Sequence, residues 1–130
     1  MKTNGADKWF SIYIRLRDSD NDGICKCVTC ETRKPWRSMD NGHFIKRQHM
    51  ATRFNEKNCH AQCQQCNYFK QGNDANYERF IIETYGEQEL LLLQAGRYQT
   101  RKLDSFQMKQ LEKYYKEKAI NLAKEKGLKI

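Results

Sequence analysis

Apolar positions Trp9, Tyr13 and Leu16, with Phe10 and Ile14 beside them, recur at helical spacing over Asp7 to Arg17. They predict an amphipathic helix within residues 7–18. Asp18-Ser19-Asp20-Asn21-Asp22-Gly23 follows, and its alternating acids imitate the first half of a calcium loop. The twelfth loop position is Thr29 and cysteines interrupt the second half, so an Asx-rich turn is the expectation. From Ile24 to Asn58 the helical period disappears, and Pro35 and Gly42 punctuate what should be short strands and loops. Cys59 to Gln71 holds neither Gly nor Pro and is closed by Gly72, which predicts a helix. Ala75 to Tyr85 before Gly86, and Glu87 to Ala95 before Gly96, predict two more.

Asp104 and Gln107 form a capping pair for a long last helix to about Lys126, with Gly127 behind it. Its stripe Leu111, Tyr115, Ala119 and Leu122 is narrow, fit either to pack on its own domain or to meet a second copy in a homodimer. No repeat or flexible linker divides the chain, so a single domain over 1–130 is expected. Within it lie an N-terminal helix (7–18), a core (24–72) and a helical C-terminal part (75–127).

Composition adds a constraint. With 38% apolar and 31% charged residues among 130, the core is thin and needs a staple. The 24 Lys and Arg against 16 Asp and Glu give a charge of +8. Four zinc-bound thiolates would lower that charge to about +6. Such a surface favours a phosphate backbone or an anionic membrane. The longest apolar run, Leu90 to Leu93, falls far short of the ~20 residues of a membrane span. Met1 to Asp7 lacks the apolar stretch of a signal peptide. A cytoplasmic protein with no membrane partner is expected, and in that reducing compartment cysteines serve as metal ligands sooner than as disulfides.

Cys27-x-x-Cys30 and Cys63-x-x-Cys66 have the spacing of two zinc knuckles, since a two-residue gap lets both sulfurs face one ion. Cys25 and Cys59 are left over, and free cysteine commonly packs as a small buried hydrophobe. The 32 residues between Cys30 and Cys63 must loop out from the knuckles, which makes them the place to look for chemistry.

That stretch carries Asp40-Asn41-Gly42-His43-Phe44-Ile45 and Arg53-Phe54-Asn55-Glu56-Lys57-Asn58, and Asn67 follows Cys66. The order is similar to that of HNH, or ββα-metal, nucleases: His on the first strand of a hairpin, Asn in the connection, a third polar residue on the helix after it. Phosphodiester hydrolysis needs a base for water and a cation for the charge growing on phosphate. His43 is the candidate base, because imidazole titrates near neutral pH. Asn67, four residues after Cys63, would share a helical flank with it, and with Asp40 would offer oxygens to a hard divalent ion. Asn58 is expected to tie the loop and orient His43. Lys46, Arg47 and Arg53 surround the hairpin with positive charge suited to positioning phosphate. His60 is expected to be a packed structural residue, and His49 at the hairpin tip to face solvent or phosphate.

Ile14-Arg15-Leu16-Arg17-Asp18, the first knuckle, Asp40 to Phe44, Arg53 to Asn58, His60 to Asn67 and Lys70-Gln71-Gly72-Asn73 together resemble the NinG/Rap family of lambdoid phage recombination endonucleases, in order, from about Asp7 to Gly127. The knuckle spacing and Asn67 are also similar to phage recombination endonuclease VII. The resemblance implies an α+β fold: a zinc-stapled ββα-metal (HNH, treble-clef-like) core with flanking α-helices and a long C-terminal helix. It implies structural Zn2+, catalytic Mg2+ or Mn2+, and cleavage of branched DNA such as D-loops and Holliday junctions in the bacterial host cytoplasm. One departure stands out. Many HNH enzymes place a metal-binding Asp or His just before the base, where this chain has Gly42. The competing expectation is a zinc module that binds nucleic acid or protein without catalysis.

Overall fold

Asn4 and Asp7 cap each other at the start of α1 (Gly5–Arg17): the Asp7 N–H donates to Asn4 Oδ1 at 2.9 Å and the Asn4 N–H to Asp7 Oδ2 at 3.3 Å. The computed structural model describes residues 4–130. After α1 the acidic stretch forms an Asx turn, Asp20 Oδ1 accepting from the N–H groups of Asp22 (2.9 Å) and Ile24 (3.0 Å).

Two antiparallel hairpins follow. β1 (Ile24–Lys26) pairs with β2 (Arg33–Pro35), Ile24 opposite Pro35 and Lys26 opposite Arg33. A 3-10 turn, Trp36–Ser38, leads into β3 (Met39–His43), which pairs with β4 (Cys59–Cys63) so that Met39 faces Cys63 and His43 faces Cys59. Their connection contains one helical turn, α2 (Met50–Arg53). A π-helical turn, Gln65–Phe69, then precedes α3 (Asp74–Tyr85), α4 (Glu87–Ala95) and α5 (Ser105–Lys126). The architecture is mixed α+β. Among the described residues no helix is long and apolar enough to cross a membrane.

The helix expected over Cys59 to Gln71 is replaced by β4 and the π-helical turn. Absence of Gly and Pro excludes neither element, and all five residues of β4 are buried, so pairing with β3 and burial of both faces decide for a strand.

The main core lies between α1 and α5. Phe10 meets Tyr115 edge to face at 4.8 Å and Phe54 at 5.5 Å, while Ala119 and Ala123 let the two helices approach. The stripe of α5 therefore packs on its own domain. Lys126 closes the arrangement, its Nζ donating to the carbonyls of Leu16 (2.7 Å) and Arg17 (3.2 Å), which have no partner inside α1. A second apolar cluster joins Phe44 and Ile45 to Tyr77, Ile81, Leu90 and Leu93, fixing the start of the β3–β4 connection against α3 and α4.

Candidate active site and metal centre

The turn between β1 and β2 presents Cys27 and Cys30, held by Cys27 N–H to Thr32 O (2.8 Å) and Glu31 N–H to Cys27 O (3.0 Å). Cys63 ends β4 and Cys66 sits in the π-helical turn. Their four Sγ atoms lie within 4.8 Å of one another, with Cys30 and Cys63 3.7 Å apart. A tetrahedral zinc with bonds of about 2.3 Å needs sulfur separations of about 3.8 Å, so the donor set fits. Burial raises the Cys27 thiol, but the Thr29 hydroxyl and the N–H groups of Cys63, Cys30 and Thr29 outweigh it and bring it to about 6, which favours the thiolate a metal requires. The four cysteines could hold a metal ion such as zinc. Cys25 and Cys59 lie outside the cluster, their thiols directed at the carbonyls of Arg15 (3.2 Å) and Arg53 (3.8 Å). Burial pushes both upward, Cys25 to about 12, so they pack as neutral thiols.

One residue from Cys66, Asn67 lines an open cleft of about 780 Å3 together with Asp40 and His43 of β3, Lys46 and Arg47 of the connection, and Asp7 of α1. His43 Nε2 lies 3.0 Å from Arg53 O. A carbonyl only accepts, so Nε2 bears the proton and Nδ1 keeps the lone pair. Burial lowers the His43 pKa, offset in part by the carbonyls of Arg53 and Asn41 and by the Asp7 charge, so the ring is neutral at pH 7.

Asn67 Nδ2 donates to Asp40 Oδ2 at 3.0 Å, and a half-turn of the amide would place its oxygen on that side instead. Asn41 Oδ1 is buried without a hydrogen-bond partner in the wall of the same cleft. The Asp40 carboxylate and a turned Asn67 amide oxygen make a donor pair suited to a hard divalent ion. Asn41 belongs to no catalytic pattern in the sequence, although it stands two residues before His43, a spacing that puts both on one strand face.

Asn58 is wholly buried and closes the connection: Oδ1 accepts from the Ile45 N–H (2.8 Å), and Nδ2 donates to Ile45 O (3.0 Å) and Thr52 O (3.1 Å). Two assignments need correction. Arg53 does not face phosphate; it is 3% exposed, with Nε donating to Asp7 Oδ1 at 2.9 Å and Nη2 to Asp7 Oδ2, because the turn of α2 directs it under the cleft onto α1. Asn67 and Cys63 do not share a helical flank, since Cys63 belongs to β4, and it is the neighbouring Cys66 that ties Asn67 to the cluster. Lys46 is bound to Asp74 at 3.0 Å, and Arg47 Nη1 lies 3.9 Å from Asp7 Oδ2. His49 is half-buried at the N-terminus of α2.

His60 sits in a relay. Tyr77 donates its hydroxyl to Gly42 O at 2.6 Å, so it accepts from His60 Nδ1 at 3.0 Å, which leaves Nε2 to accept from the Tyr85 hydroxyl at 2.8 Å. The relay holds the carbonyl of the residue before His43. Gly42 is required there: an added Cβ would fall 2.2 Å from Gln62 Oε1, so no metal-binding side chain fits at that position. Asp7 and Tyr77 act on the cleft from outside the motifs, and Gln62, inside the His60–Asn67 stretch, packs against Gly42.

A family model described as "Bacteriophage Lambda NinG protein" matches residues 3–125. Protein ninG of Salmonella phage P22 is 34% identical over 84 residues, covering 62% of this chain and 38% of that protein. Protein ninG of Escherichia phage lambda is 34% identical over 86 residues, covering 64% and 39% respectively. The chain thus spans less than two-fifths of the length of these curated relatives. No solved structure matches.

Proposed function

The chain belongs to the NinG family of lambdoid phage proteins, and from that membership and the cleft geometry we propose that it is an HNH-type, metal-dependent endonuclease for branched DNA. D-loops and Holliday junctions in the host cytoplasm are its proposed substrates, and zinc its structural metal. The observation that carries the proposal is His43, pinned through Nε2 so that Nδ1 keeps the basic lone pair, in one cleft with Asp40 and Asn67. The succession β3, a connection closed by Asn58, β4 and a helical turn bearing Asn67 supports the ββα-metal interpretation.

In this mechanism His43 Nδ1 takes a proton from water as the water oxygen bonds to phosphorus. The bond from phosphorus to the 3′ oxygen breaks, and that oxygen takes a proton from solvent, leaving a 5′ phosphate and a 3′ hydroxyl. A magnesium or manganese ion held by Asp40 and Asn67 would supply neutralisation of charge on the phosphate and the leaving oxygen. The Arg53 carbonyl fixes the ring of His43, and Asn58 fixes the loop that carries this carbonyl. Lys46 and Arg47 line the entrance with positive charge for the backbone.

The test is cleavage of branched and linear DNA by zinc-loaded protein, with and without added magnesium or manganese. His43→Ala should abolish cutting while zinc content and DNA binding stay near wild type. A variant that cuts normally removes His43 as base; wild type that binds DNA and never cuts would establish the non-catalytic zinc module instead.

A further inference from the structure

Tyr68 and Phe69 follow Asn67 directly, and both rings stand in solvent, 74% and 69% exposed. The turn that displays them is anchored by Cys66, whose carbonyl accepts from the Gly72 N–H at 2.8 Å, and the rings meet edge to face at 5.1 Å. Two adjacent aromatics uncovered on a tethered turn, one step from the cleft, call for a partner. Their surroundings say which kind. Gln64, Gln65, Lys70 and Gln71 are the exposed neighbours, and Lys46, itself in the cleft wall, places Nζ 3.3 Å from Gln71 O at the end of the same turn. A polar rim, with Lys70 exposed and Lys46 shared with Asp74 at 3.0 Å, is poorly matched to an apolar protein surface and well matched to a single strand, with phosphates near lysine and bases on the rings.

We propose that Tyr68 and Phe69 form a stacking platform for unpaired nucleobases beside the scissile phosphate. The proposal rests on the nuclease interpretation and extends it to the substrate's shape. Bases inside a duplex are already stacked on both faces and must be extruded, at a cost in free energy, before a protein ring can take them. A branch point with a single-stranded arm or a displaced strand offers such bases without that cost. Preference for branched DNA then follows from two rings on a turn that reads no sequence.

The experiment compares binding of zinc-loaded protein, without added magnesium, to a linear duplex and to the same duplex with a single-stranded arm carrying 2-aminopurine at the junction. Wild type should favour the forked DNA and quench the 2-aminopurine. The double variant Tyr68→Ala, Phe69→Ala should lose about tenfold or more in affinity for the fork, change duplex affinity by less than about twofold, and lose the quenching. Tyr68→Trp with Phe69→Trp should restore both. Unchanged fork binding in the alanine variant overturns the platform, as does equal loss on fork and duplex with an unchanged melting temperature. Sedimentation showing that the rings join two copies of the chain also overturns it. Cleavage by wild type with added magnesium is read separately: ring-dependent fork binding without any cutting refutes the nuclease alone, and cutting without ring dependence refutes the platform alone.

Discussion

Asp7 serves α1 and the cleft with one carboxylate: it completes the cap with Asn4 and receives the Arg53 guanidinium, while the Arg53 carbonyl holds His43. Asp7→Asn leaves the Arg53 charge buried without its partner, which should cost about 3–5 kcal/mol in a urea unfolding curve at pH 7. Burial opposes the Asp7 charge, but the bond and charge of Arg53 outweigh it and hold the carboxyl below the usual carboxylate range. The ion pair therefore contributes fully above the unfolded carboxylate range and is lost as pH falls through the depressed folded value. His60 titrates higher. Burial lowers it from 6.5 to about 4, so between those values the unfolded chain binds a proton that the folded one does not. Stability should fall by ~1.4 kcal/mol per pH unit as pH drops across that window. His60→Gln should flatten this slope, and an unchanged slope would remove His60 as its source. His43 is lowered in the same direction, so cleavage should hold across neutral pH and decline on an acid limb below 6.5. A limb lying above 6.5 would mean that another group is the base.

At the scale of elements, the knuckles and the capping pair of α5 were legible because their determinants are local. Spacing alone announces Cys27, Cys30, Cys63 and Cys66, and the Asp104–Gln107 pair caps α5 reciprocally as its sequence suggests. β4 was illegible as a strand because its reason lies in β3, twenty residues upstream, and in burial on both faces. A helix over Cys59 to Gln71 would set Asn67 on the flank of Cys63, whereas the strand leaves Cys63 in β4 and Asn67 in the π-helical turn beside Cys66. Arg53 was unreadable for a related reason: its partner Asp7 is 46 positions away. The cysteine cluster joins the β1–β2 turn to β4 and the π-helical turn, so removing its metal should loosen the elements that carry Asn67 and face His43. Cys63→Ser should lose zinc and melt well below wild type by circular dichroism. Cys25→Ser, whose thiol only meets Arg15 O, should keep its zinc. Retained zinc in the first variant would exclude Cys63 as a ligand.

Over the whole molecule, part of the charge of +8 lies on the last helix and part beside the cleft. From Arg101 to Ile130 there are nine Lys and Arg against four Asp and Glu, yet α5 turns Tyr115, Ala119 and Ala123 onto α1 and leaves Lys109, Lys113 and Lys124 on its solvent side. Lys46 and Arg47 instead border the cleft. If DNA lies in the cleft, each cleft cation that meets a phosphate releases a counterion, and the slope of log affinity against log salt should weaken by about 0.7–0.9 for each one removed. Lys46→Ala and Arg47→Ala should each flatten the slope by that amount in forked-DNA titrations over a series of sodium chloride concentrations. Lys109→Ala, Lys113→Ala and Lys124→Ala together should leave it unchanged. Arg53→Lys separates the two effects of charge: buried beside Asp7, it should lower the melting temperature without altering the slope. A slope that responds to α5 and ignores Lys46 and Arg47 would move the DNA onto the long helix and take the phosphate away from His43.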